Sequence, residues 1–165
     1  MTLYWAANGA MPTTAALSPV TTGTSIKTLL QIATPSTRQI KVVEWGISFS
    51  GFAAADPIKV ELIQTDVAAT VTAHVAAGVQ PYDDPNAPAS AMTLGTSATG
   101  YTASAEGSIT ATRYADLQQL PPSATYVKQW PLGREFKVPI SKFLRVRVTA
   151  AAAVNAYTYV IWSEE

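Results

Sequence analysis

The chain reads as an all-β protein: an antiparallel β-sandwich, jelly-roll-like, with about eight strands and long loops or arms. Three features of the sequence predict this. Apolar and polar residues alternate at period two, the signature of a half-buried strand. Eleven prolines and nine glycines punctuate the alternating runs, as the turns of a sandwich or barrel require. The runs themselves are rich in Val, Ile, Thr, Tyr and Trp, which fit a pleated surface and lose rotamer freedom in a helix.

Taken in order, residues 2–7 and 25–33 are strand candidates. Val43, Trp45, Ile47 and Phe49 then alternate with Glu44, Gly46 and Ser48. In residues 57–65, Ile58, Val60 and Leu62 share one face while Lys59 and Glu61 share the other. Residues 69–76 and 107–114 are weaker candidates. Between them, residues 80–106 hold Pro81, Pro85, Pro88, Gly95 and Gly100 with little apolar content, and read as a long loop or arm with room for one short strand. Residues 114–120 read as helical turns closed by Pro121-Pro122, and residues 67–73 as a second such stretch. Residues 124–129 and 135–139 are short strands. Leu144, Val146 and Val148 oppose Phe143, Arg145 and Arg147, and residues 156–162 form a late central strand that buries Trp162, as Trp45 is buried earlier. No linker divides the chain, so residues 1–165 are expected to form one domain, with an N-terminal arm over about 1–24 and the long loop over about 80–106.

Charge is scarce. Charged residues make up 13% of the chain, with 11 Lys+Arg against 11 Asp+Glu, where about 25% is usual. Hydroxyls carry the polarity instead. No Asp, Glu, Lys, Arg or His occurs from Thr2 to Ile26 or from Pro85 to Ala105. Interface cores are depleted in Lys, Glu and Asp, so both stretches are read as contact surface with other subunits; the alternative is hydroxyl-rich loop lying in water. Zero net charge argues against a nucleic-acid partner, which needs several cations against phosphates. The absence of cysteine removes disulfides, thiolate metal sites and a Cys nucleophile. No run has the length of a membrane helix, and residues 1–14 do not read as a targeting segment.

Chemistry is hard to locate. His74 is the only histidine; without a nucleophile-elbow pattern it reads as an exposed or strand-borne side chain rather than a catalytic base. One His and no Cys leave no expected metal site and no expected cofactor. Asp83, Asp84 and Asn86 form an oxygen-rich cluster, but Asp-Pro and Pro-Asn are also ordinary turn formers, and the spacing of a calcium loop is missing. Glu44, Glu61, Asp66, Glu106, Asp116 and Glu135 offer carboxylates for glycoside hydrolysis without selecting a pair. Arg134, Lys137, Lys142, Arg145 and Arg147 make one basic stretch. A strand presents Arg145 and Arg147 on one face, as a docking stripe for an acidic partner or simply as a solvated face. Trp5 beside Tyr4 lies in uncharged sequence and is a candidate exposed anchor, for a neighbouring subunit or for a sugar ring. The candidate interface residues are therefore Tyr4, Trp5, Arg134, Arg145 and Arg147.

Four phrases carry a resemblance: Pro57-Ile58-Lys59-Val60-Glu61-Leu62, Trp130-Pro131-Leu132-Gly133-Arg134-Glu135, Phe143-Leu144-Arg145-Val146-Arg147-Val148, and the ending from Ala156 through Trp162 to Glu165. Together they resemble the head decoration, or accessory capsid, proteins of tailed phages and prophages, over residues from about 42 to the end. The resemblance implies a β-sandwich that forms a homo-oligomer, often a trimer, and sits on the major capsid protein at the virion exterior after synthesis in the host cytoplasm. It implies no catalytic residues. A tail or fibre component, a carbohydrate-binding or cell-surface β-sandwich, and a carboxylate hydrolase are the competing readings.

Overall fold

The computed structural model describes residues 1–50 and 56–165. In chain order its strands are β1 (Leu3–Ala7), β2 (Val20–Thr21), β3 (Lys27–Ala33), β4 (Ile40–Ser50), β5 (Ile58–Thr65), β6 (Thr70–Ala73) and β7 (Gln80–Pro81). Then follow β8 (Gly100–Ala105), β9 (Thr112–Leu120), β10 (Thr125–Gln129), β11 (Phe136–Val138), β12 (Phe143–Thr149) and β13 (Asn155–Glu164). They form two antiparallel sheets. The first runs β10-β4-β13-β1-β7, with β11 also on β4 and β2 also on β13; the second runs β6-β8-β3-β12-β5-β9. The all-β antiparallel sandwich is thus the fold. Thirteen strands among the described residues replace the expected eight, because several are two to four residues long.

The core follows from the alternation. Ile58, Val60 and Leu62 of β5 and Leu144, Val146 and Val148 of β12 turn inward against Trp45, Ile47, Val160 and Trp162 of the first sheet. Trp45 and Trp162 are both fully buried. A bulge between Ile161 and Trp162, where β13 meets β4, re-aims the last residues of the chain.

The helical turns expected at residues 114–120 are strand β9, paired with β5 from Thr112 to Leu120. Asp116, Gln118 and Leu120 lie opposite Leu62, Val60 and Ile58, so the ladder and the shared inward face override local propensity. Pro121 then ends the strand because proline cannot donate to a ladder. Residues 70–73, within the second expected helical stretch, are likewise strand. Strand β8 lies inside the stretch read as an arm, where Gly100 and small residues left little alternation to detect. Gly100 is there for space: a Cβ would stand 2.3 Å from the carbonyl oxygen of Thr72 in β6. Backbone cannot yield as a side-chain tip can, so Gly100→Ala is expected to cost about 1–3 kcal/mol by overpacking, read as a lower urea midpoint with an unchanged slope.

Candidate interaction surfaces

Neither expected arm is free of its own domain. Strand β1 lies inside the first sheet, between β13 and β7. Tyr4 is only 5% exposed; its ring stacks on Trp162 at 6.3 Å between centroids, and its hydroxyl donates to the Pro88 carbonyl at 3.0 Å. It is a core residue, not an exposed anchor. The long loop is tied down along its length. The Asp83 carboxylate accepts the Leu3 N–H at 2.8 Å, the Glu164 carboxylate accepts the Ser90 hydroxyl and the Ala91 N–H, and Met92 is buried. Residues 10–16 of the first expected arm lie exposed, whereas β1 and much of the long loop satisfy their backbone on the domain itself.

The basic stripe is corrected too. Arg145 points to the outer face of the second sheet but is 0% exposed. A strap formed by the segments around residues 66–70 and 104–111 crosses over it. One terminal guanidinium nitrogen donates to the Glu106 carbonyl at 2.9 Å and to its carboxylate at 3.3 Å, the second terminal nitrogen donates to the Val67 carbonyl, and Nε has no partner among the described residues. Glu106 also accepts the Thr28 N–H at 2.5 Å and the Thr28 hydroxyl at 2.6 Å. Burial pushes the Arg145 pKa down, and the Glu106 carboxylate opposes that shift. Gln31, also buried, exchanges hydrogen bonds with the Ala69 backbone and donates to Ala98. Asp66 joins the two lengths of the strap by accepting from Thr110 and Ala111, which holds its carboxyl down at about 2. Arg147 is engaged as well: its Nε donates to Glu61 at 2.7 Å, with both side chains largely covered. Of the three candidate arginines, Arg134 stays exposed, as does Lys137 of the same basic stretch. Arg134 closes the tight turn from Pro131, where Gly133 supplies a φ of +83° and Leu132 stands 83% exposed.

His74 follows β6 directly and is buried, contrary to the expected exposure or place in a strand. Its Nε2 lies 2.9 Å from the Ala7 carbonyl, its ring tilts against Tyr101 at 4.9 Å, and its Nδ1 has no partner among the described residues. Burial lowers its pKa, although the bond to Ala7 acts the other way. The unfolded chain therefore binds this proton more readily than the folded one. The stability contribution is complete above about pH 6.5 and is lost as pH falls below it. An NMR titration of His74 is expected to give a midpoint below the unfolded value, and the melting temperature to fall with acidification more steeply than in His74→Phe. Equal slopes would contradict this.

The acidic residues are similarly occupied. Asp84 accepts the Asn86 N–H at 2.9 Å in a local turn, and among the described residues no group of three His, Asp or Glu side chains is placed to hold a metal ion. Asp116, 7% exposed, is the buried carboxylate that alternation alone did not reveal. It accepts from Trp45 Nε1 at 3.2 Å, the Tyr126 hydroxyl at 2.9 Å and Gln118 at 3.0 Å, with Lys128 3.4 Å away. Burial raises its pKa, but the bonds from Gln118 and Tyr126 and the charge of Lys128 reverse the shift, and the net direction is down. Tyr126 is pushed up to about 12, by burial and by Asp116. This network joins β9 at the edge of the second sheet to β4 and β10 of the first. Beside it, Arg113 lies 4.4 Å over the Phe136 ring.

Two surfaces are left. One is the flank where β9 and β10, edge strands of the two sheets, come together; beside it Tyr114 and Leu117 of β9, both more than half exposed, stand on the outer face of the second sheet. The other is the outer face of the first sheet. Across it Gln129, Glu44, Ile161, Trp5 and Gln80 stand in one row, and Val127, Gly46, Tyr159 and Ala7 in the next. No protein-family model, curated protein or solved structure matches this chain. What the two surfaces do must therefore be read from their residues. Trp5, expected as an exposed anchor, is half-buried and lines a shallow hollow of about 300 Å³ with Gln80, Pro81 and Tyr82. Tyr82, Tyr157 and Tyr159 belong to the same face and were not singled out in the sequence, since their convergence depends on strand order.

Proposed function

We propose that this chain is a non-enzymatic virion subunit: a decoration protein on the exterior of a tailed-phage capsid, made in the host cytoplasm. It would be held by contacts with copies of itself, as a trimer, and with the major capsid protein. One observation carries this reading. Among the described residues, the β9/β10 flank leaves two sheet edges without a further strand, with Tyr114 and Leu117 exposed on the face of β9 beside them. Exposed edges with apolar side chains are surfaces for pairing with another chain. The engagement of Glu106, Asp116 and Arg145 in internal hydrogen bonds favours a structural role over a catalytic one, and the low charge favours association.

The test is the mass of the purified chain in solution and its co-sedimentation with undecorated capsid shells. A trimer that binds shells is expected; a monomer without affinity for them overturns the proposal. Leu117→Glu puts a charge where the contact would be desolvated and is expected to weaken association about tenfold or more, equivalent to about 1.4 kcal/mol or more, with the far-UV circular dichroism of the folded chain unchanged.

A further inference from the structure

We infer that the outer face of the first sheet is a binding platform for a neutral polysaccharide. This goes beyond the assembly role, which uses the β9/β10 flank.

The face is built for a flat ligand. Tyr159 lies against the strand beside it because residue 46 is glycine: a Cβ there would come within 2.6 Å of the Tyr159 ring. The ring is fixed by its hydroxyl, which donates to Glu44 at 2.6 Å. Burial and Glu44 together raise the pKa of that hydroxyl, so it stays protonated as the donor. Trp5 stands one row along on the neighbouring strand, with Tyr82 beside it across the hollow. Tyr82 is 59% exposed.

Amide and carboxylate groups flank the rings. Gln129 donates to Glu44 at 3.4 Å, a long contact that leaves the Gln129 amide near Glu44 able to bond elsewhere. Gln80 closes the other end of the row. From Gln129 to Gln80 the row crosses β10, β4, β13, β1 and β7, about 19 Å at the usual strand spacing, enough for several pyranose rings in line.

Such a surface matches a sugar chain better than a protein. Aromatic rings with a few fixed polar groups are what orient a ligand with apolar C–H faces and hydroxyl edges. The core of a protein interface is depleted in Glu, yet Glu44 stands second in this row of five, next to Ile161. No Lys or Arg stands in either row; at the margin Lys41 is paired with Glu165 and Lys137 stands opposite it on β11, so the two rows themselves present no cation to an anionic polymer.

Affinity electrophoresis through gels containing hydroxyethyl cellulose, laminarin, galactomannan or soluble starch tests the inference. Retardation by at least one is expected, reduced about tenfold or more in apparent affinity by Tyr82→Ala and by Trp5→Ala. Tyr82 is exposed enough to be replaced without unfolding the chain, which separates lost binding from lost structure. Migration unaffected by all four polymers overturns the inference, as does retardation that both substitutions leave intact. Self-association abolished by Trp5→Ala, without retardation, also overturns it and assigns the face to a second copy. Shell co-sedimentation of Tyr82→Ala is expected to match the wild type, so the platform and the assembly role fail separately.

Discussion

Arg145→Ala is expected to lower the free energy of unfolding by about 3–5 kcal/mol, the range for breaking a buried ion pair by removing one partner. The substitution leaves the Glu106 carboxylate without its cation and the Val67 carbonyl without its donor beneath the strap. Unmade buried bonds cost more than made ones contribute. Against a total stability of about 5–15 kcal/mol for a domain, that loss is a large fraction. Arg145→Lys should recover little, because a point charge cannot reach Glu106 and Val67 together as the planar guanidinium does. Urea denaturation measures both variants. A loss below about 1 kcal/mol for the alanine variant, typical of a surface pair, would mean that Arg145 is solvated rather than clamped.

Trp162→Ala is expected to be comparably severe, about 3–5 kcal/mol for an aromatic removed from a packed core. Trp162 is fully buried and stacks with Tyr4, whose hydroxyl holds the long loop at Pro88. The loss should therefore spread to the loop: amide exchange at Ala91 and Thr93 is expected to accelerate more than exchange in β5. Uniform acceleration across both would separate the loop from the Tyr4–Trp162 stack.

The outcome at particular residues shows what could be read in advance. Ile58, Val60 and Leu62 pointing inward, and Trp45 and Trp162 in the core, were legible because side-chain direction along a strand depends only on position parity. Strand β9 was misread as helix because its partner, β5, lies some fifty residues earlier and leaves no mark on the local pattern. Tyr4 is a candidate interface residue in the sequence yet a core residue in the fold, because an uncharged terminal segment looks the same whether it meets another subunit or lies between two strands. Arg145 and Arg147 were placed correctly on one face of their strand, yet that face is covered at Arg145 by a strap and answered at Arg147 by Glu61. In the aromatic platform, Trp5 was noticed but Tyr82 and Tyr159 were not, since they meet only when β13 and β7 flank β1.

From composition and alternation alone come the all-β class, the sandwich layering, the two core tryptophans and the scarcity of charge. All of these rest on short-range regularities that survive in any strand order. Which strands sit at the edges, which arginine is sealed beneath a strap, and which aromatics converge on one face depend on contacts between distant residues. Those contacts are settled by hydrogen-bond pairing and by the burial of whole faces, and no local stretch of chain encodes either.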